Sequence, residues 1–202
     1  MGNRISSFFS YLLHPLFMPL WCVYFLFQLP IYFNYTYPET YFHSIYACVI
    51  VNLILIPLML SLYLKKHKVI KSLKMETSKE RIIPYSISAF FYLLTYFLFS
   101  QIRFPNFYLN VFLAAGLAII ILLVFAAFNF KISAHMTGIG GFCGLLIIIN
   151  LQLGLNTIIP LAISLLLAGI LASSRLNLNA HNSIQIFVGF IIGLGSQLLL
   201  QL

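Results

Sequence analysis

Three short polar clusters carry the chemistry of this sequence. The first runs from Lys74 through Glu76, Lys79 and Glu80 to Arg81. The second is Lys131-Ile132-Ser133-Ala134-His135, and the third runs from Ser174-Arg175 to His181. Fixed cations (Lys74 or Lys79, Arg81, Arg175) neutralise a phosphate group and the charge that builds on it in a transition state. Ser133 and the backbone N–H groups at a helix start add neutral donors. His135 and His181 offer a nucleophile and a proton donor, because imidazole titrates near neutral pH. There is no carboxylate pair and no set of residues at metal-ligand spacing. The inventory points to phosphoryl transfer with no metal and no other cofactor.

The elements that position these clusters follow from composition. Of 202 residues, 62% are hydrophobic and 7% charged. A soluble domain is ~45–50% apolar and ~25% charged. A chain of this size cannot bury so much apolar surface and still cover itself with polar groups. That excludes a soluble enzyme, a disordered chain and a cysteine-stapled module. About 20 apolar residues in a helix cross a bilayer. Seven segments qualify, roughly 10–33, 41–64, 82–102, 107–129, 133–152, 157–173 and 181–202. None alternates polar and apolar as barrel strands do. The expectation is an all-α polytopic transmembrane helix bundle of six to seven spans, one domain over 1–202, with its motif-bearing core at about 65–202. His14-Pro15, Pro19 and Pro30 predict a kinked or re-entrant first segment. Ser173 to Ala180 reads as a loop.

The formal charge is +8, and nine of the 14 charged residues lie between Lys65 and Arg81. Successive loops alternate sides, so Arg4, the 65–81 segment, Lys131 and Arg175 share one side, with ten of the eleven basic residues. Only Arg103 is opposite. The positive-inside rule puts the crowded side in the cytoplasm. Two spans separate each polar cluster from the next, so all three clusters fall on that side and can form one site.

In that order and spacing the clusters resemble the three signature motifs of the type-2 phosphatidic acid phosphatase superfamily, which includes vanadium haloperoxidases. Its first motif is a lysine, six residues, then Arg-Pro; Lys74 and Arg81 have that spacing, with Ile82 at the proline. Its second is Pro-Ser-Gly-His; Ile132-Ser133-Ala134-His135 keeps the serine and histidine. Its third is Ser-Arg, five residues, His, three residues, Asp; Ser174, Arg175 and His181 fit, with Gln185 at the aspartate. The resemblance spans about residues 74–185. It implies that His181 attacks phosphorus, that His135 protonates the leaving lipid oxygen, and that Lys74, Arg81, Arg175 and Ser133 hold the phosphate. It implies a lipid phosphate as substrate, either a polyprenyl mono- or diphosphate or a glycerophospholipid phosphate. Bacterial members commonly face the periplasm; the charge count turns this chain the other way, in an inner membrane.

Gln185 lies four residues after His181, on the same helix face. Its amide oxygen can accept the imidazole Nδ1–H but supplies no negative charge, so slower chemistry or a charge from Glu76 or Glu80 is expected. The alternative is a weakened or inactive relative that serves as a membrane scaffold or lipid-binding protein. A transporter needs a polar path, and the spans offer only Asn52, Gln101, Asn110 and Asn150. The expected partners are the lipid substrate and the membrane, with no nucleic acid. Gly140-xxx-Gly144 and Gly189-xxx-Gly193 are close-packing signals, either holding the site together within the chain or forming a homodimer. His14 reads as a helix entrance, and His43 and His67 as structural. Lys65, Lys66, Lys68 and Lys71 read as contacts to anionic lipid. Cys22, Cys48 and Cys143 read as small buried hydrophobes, and Met1 to Ser6 fits an acylation pattern.

Overall fold

The computed structural model describes residues 2–102 and 104–201. Arg103, the cation expected on the opposite side, and Met1 of the acylation pattern lie outside them. Among the described residues there are only helices and their connections. The chain runs α1 (Gly2–Leu12), a 3-10 turn (Pro15–Phe17), α2 (Met18–Phe27), α3 (Tyr32–Thr36), α4 (Glu39–Val49), a π-helical turn (Ile50–Leu55) and α5 (Ile56–Lys66). It continues through α6 (Lys79–Gln101), α7 (Asn106–Ala127), α8 (Ala134–Leu153), α9 (Ile158–Asn177) and α10 (Ser183–Gln201). Seven stretches are long and apolar enough to cross a bilayer, the first being Asn3–Phe27 and the second Glu39–Lys66. The protein is an integral membrane bundle, all-α as expected.

Two expected boundaries shift, for physical reasons. The first span starts near Asn3 and ends at Phe27, earlier than 10–33 at both ends. Pro30 cannot continue the helix, and the Asn34 side chain caps the freed carbonyls of Leu26 and Leu29 at 2.9 and 2.8 Å. The sixth span does not end at residue 173. It runs to Asn177, so Ser174 and Arg175 are helical and Arg175 occupies the last turn, where its charge complements the helix dipole. The first span is kinked, as expected: His14 is extended (φ −67°, ψ 136°), as the residue before a proline prefers.

In the second span the α pattern widens to a π turn just ahead of Pro57. The Ile56 N–H reaches back to the Val51 carbonyl, and Pro57 has no N–H to continue the ladder.

Helix α8 is the centre of the bundle, packed by α2, α7, α9 and α10. Cys143, Leu145, Leu146, Ile148 and Ile149 on it are fully buried. Its closest partner is α10. A methyl group on Gly140 or Gly193 would run into the Phe190 or Thr137 carbonyl, and one on Gly144 would sit 2.9 Å from the Leu194 carbonyl. All four glycines of the two small-residue motifs are thus used between α8 and α10. The faces considered for a homodimer are covered inside one chain. Large side chains elsewhere, such as Phe90, Phe97, Leu166 and Phe187, point outward, as a lipid-facing surface requires.

Asn52, Asn110 and Asn150 within the spans each have a partner inside the bundle. Asn110 donates to the Leu200 carbonyl, Asn150 to that of Leu155 and Asn52 to the Cys48 thiol. They do not form a path across the bundle.

The glycine contact yields a direct test. Gly193→Ala places a methyl on the backbone of α8 and should cost at least about 1–3 kcal/mol of stability. Gly195→Ala, two residues on and facing open space, should be neutral. Thermal unfolding in detergent reads both, and equal stability of the two variants would contradict the packing.

Candidate active site

The three polar clusters meet at one end of the bundle. Each is placed by helix-end geometry. Helix α9 stops in a Schellman motif: Asn179 takes positive φ (49°), Ala180 N–H bonds the Arg175 carbonyl at 3.1 Å, and Asn179 N–H bonds that of Leu176 at 2.9 Å. Two residues later α10 begins with a capping box. The Asn182 side chain accepts from Gln185 N–H at 2.9 Å, and Gln185 Oε1 accepts from Asn182 N–H at 3.3 Å. His181 sits between these two devices and is 7% exposed. Helix α7 ends the same way. Asn129 has φ 60° and Phe130 N–H bonds the Phe125 carbonyl at 2.9 Å, which delivers Lys131 to the same end.

Arg81, in the first turn of α6, is buried and ties the clusters together. Its Nη1 donates to the Ile132 carbonyl at 2.8 Å and to the Tyr85 hydroxyl at 3.1 Å, and its Nε donates to the Met75 carbonyl at 3.0 Å. Ser133 N–H in turn donates to the Gln185 carbonyl at 3.2 Å. The second cluster is therefore bonded to both the first and the third. Ser133 is fully buried, yet its Oγ has no partner, and neither has Nε of Arg175. Ser133 does not cap α8, so the N–H groups of that first turn lack the usual side-chain acceptor. Free donors beside fixed cations suit the oxygens of an anion.

The tautomer of His181 follows from its neighbours. Asn182 N–H can only donate, so the end of the Gln185 amide facing it must be the oxygen. That same oxygen lies 3.0 Å from His181 Nδ1. Nδ1 therefore carries the proton, and Nε2 presents a lone pair. Burial first, then the Arg81 charge, and less strongly Lys131 and Arg175, push the His181 pKa down from 6.5 to about 3; the Gln185 bond opposes this. The imidazole is neutral at physiological pH and nucleophilic at Nε2.

His135, one residue into α8, has its Nε2 3.1 Å from the Ser10 carbonyl at the end of α1. The carbonyl can only accept, so Nε2 carries the hydrogen. The His14 ring stands perpendicular to the His135 ring, with centroids 5.1 Å apart. Arg175 is within electrostatic reach of both. His14 does shape a helix entrance, accepting the Leu16 N–H on Nδ1 at 3.2 Å. The His14-Pro15 pair signals that role in the sequence; nothing in the sequence signals the contact with His135. Proximity of residues 121 positions apart leaves no local signal.

Lys131 also escaped the expected set of phosphate ligands. It is half-buried, and burial together with Arg81 and Arg175 lowers its pKa, with Glu76 opposing. Lys74 and Lys79, expected in that role, have exposed side chains on the loop and at the start of α6. The carboxylates expected to support His181 lie elsewhere. Glu76 acts on Lys131, the buried Oε2 of Glu80 has no partner, and the charges bearing on His181 are all cations. The site also reaches outside residues 65–202, taking Ser10 and His14 from the first span. Comparison with family models, with curated proteins and with solved structures finds no match to this chain.

The low pKa of His181 makes stability depend on pH with a defined sign. Below pH 6.5 the unfolded chain protonates this imidazole, while the folded chain does so only near pH 3. Stability should therefore fall as pH drops through that window, by up to about 1.4 kcal/mol per unit from this group. His181→Asn should flatten that part of the profile. Thermal melts between pH 7 and 4 test it; unchanged acid sensitivity in the variant would refute the assignment.

Proposed function

We propose that this protein is an integral-membrane phosphatase that hydrolyses a lipid phosphate through a phosphohistidine, using no metal. The supporting observation is a buried, neutral His181 with a bare Nε2, surrounded by cations that no carboxylate balances at that ring. Arg81, Lys131 and Arg175, with the Ser133 hydroxyl, hold the phosphate oxygens. Nε2 of His181 attacks phosphorus as the bond to the lipid oxygen breaks. The electron pair stays on that oxygen, which takes a proton from Nδ1 of His135; that ring, already carrying Nε2–H, receives this second proton from the bound phosphate monoanion. Gln185 keeps the Nδ1–H of the phosphorylated ring. Water then attacks phosphorus, gives a proton to His135, and releases phosphate from Nε2. The headgroup enters from the membrane face while its tails stay in lipid. A polyprenyl mono- or diphosphate is the first reading of the substrate and a glycerophospholipid phosphate the second.

One observation favours the alternative of a non-catalytic lipid-phosphate binder. Gln185 has a structural reason to be longer than aspartate, since its side-chain oxygen completes the capping box of α10. The two readings separate by experiment. A lipid-phosphate panel assayed in EDTA should yield phosphate, and His181→Ala should abolish it. Gln185→Glu keeps the length and both acceptor bonds and adds the missing charge, so it should raise kcat about tenfold or more. Gln185→Leu, which frees the tautomer, should lower kcat by about 100-fold or more. No release by any of these forms, with phosphate lipid still bound, would establish the binder.

The charge distribution supports a cytoplasmic site. A Lys66→Cys variant should resist an impermeant thiol reagent applied to intact cells, and ready labelling would reverse the orientation.

A further inference from the structure

The break in the first span does more than accommodate a proline. Helix α1 stops at Leu12, and His14 N–H bonds the Tyr11 carbonyl at 3.3 Å. The α-helical partner of the Ser10 carbonyl would be that same His14 N–H. The carbonyl is thus one of the orphan acceptors of a helix end, and His135 takes it through Nε2 at 3.1 Å. Gly138, one turn further along α8, makes room for the break: a methyl there would lie 2.8 Å from the Met18 side chain and 3.7 Å from Pro15. Leu13 anchors the segment among Met136, Ile139, Ala168 and Leu171.

We propose that the first span belongs to the active site, where the freed Ser10 carbonyl and the His14 ring are positioning groups that fix His135 with its Nε2–H directed away from the substrate. Nδ1 is then the one ring atom of His135 able to exchange a proton with the lipid oxygen. In the protonated form Nε2–H stays on the Ser10 carbonyl while Nδ1–H passes to the leaving oxygen. The water of the second step returns that proton. The carbonyl does for His135 what the Gln185 amide does for His181: it selects the tautomer and holds the ring. This inference rests on the phosphatase reading, but part of its test does not.

Pro15→Ala removes the constraint that keeps His14 extended, so that α1 runs on and the His14 N–H claims the Ser10 carbonyl. An acid that protonates the leaving group matters for a lipid alkoxide and little for nitrophenolate, which departs without a proton. On a lipid monophosphate in mixed micelles, Pro15→Ala and His135→Asn should each lose about 100-fold in kcat. On p-nitrophenyl phosphate they should lose far less. His14→Phe should shift the same ratio by a smaller factor. Equal losses on the two esters would show a merely structural role and overturn the proposal.

The turnover-independent readout is nitrogen NMR of the histidines. Wild-type His135, assigned through His135→Asn, should show the Nε2–H tautomer, and Pro15→Ala should release it. An Nδ1–H tautomer in the wild type overturns the inference whatever the activity. Wild-type protein that hydrolyses neither ester overturns the phosphatase reading and the acid role with it, while the tautomer signal still reports whether the carbonyl holds the ring.

Discussion

The close approach of α8 and α10 is the contact on which the rest of the structure depends. Two helix backbones meet where four glycines leave no Cβ between them. In lipid there is no hydrophobic drive to push helices together, so packing at small residues carries the association. The consequence reaches the end of the bundle. Gly189 admits the Ser133 carbonyl, which would lie 2.7 Å from a methyl at that position. Ser133 N–H then meets the Gln185 carbonyl, and the starts of α8 and α10 are locked side by side. His135 and His181 are carried on those two starts. Their relation is set by glycine packing a turn or more away, rather than by any bond between the imidazoles.

Around this locked pair the electrostatics are unbalanced. Arg81, Lys131 and Arg175 bear on His181 together, and the three glutamates of the chain leave it uncompensated. Like charges held near one another in a partly dry site raise the free energy of the empty state. Arg81 is kept there by three bonds to oxygen acceptors, two of them backbone carbonyls, which satisfy its donors without neutralising its charge. A site built this way gains most from a ligand that brings several negative oxygens at once. A phosphate at the membrane surface does that, and a carboxylate or a neutral headgroup does so less well.

The fold was legible because hydropathy and length decide it: seven apolar runs gave seven spans, and parity placed the polar clusters at one end. The boundaries were less legible where polarity and helicity part company. Ser173, Ser174 and Arg175 read as a loop because they are polar, yet they continue α9 and end it through Asn179. The helix-end signals were in the sequence, since Asn182 and Gln185 have capping-box spacing and Asn129 and Asn179 are residues that tolerate positive φ. They locate His181 better than the apolar pattern does. Lys131 stands beside Ser133 in the second cluster, but whether it or Lys74 turns inward is decided by burial, which spacing along a chain does not report. The contribution of Ser10 is a main-chain carbonyl, and any residue type supplies one.

Gln185 is where structure and chemistry pull in different directions. Its oxygen serves two donors, the N–H of Asn182 and Nδ1–H of His181, so it belongs both to the helix start and to the setting of the His181 ring. A carboxylate there would accept both bonds and also stabilise an imidazolium. It would also add a negative charge beside His181, where the charges of Arg81, Lys131 and Arg175 all reach, and would compete with phosphate for them. A neutral amide leaves those cations to the ligand. In the proposed reaction the positive charge that forms on His181 during attack is then met by the phosphate itself. On this reading the amide strengthens ground-state binding of the anion and weakens transition-state stabilisation, a trade that lowers KM and kcat together. A slow, tight-binding phosphatase and a phosphate-lipid binder are then two points on one scale, and the residue at position 185 sets where this protein stands between them.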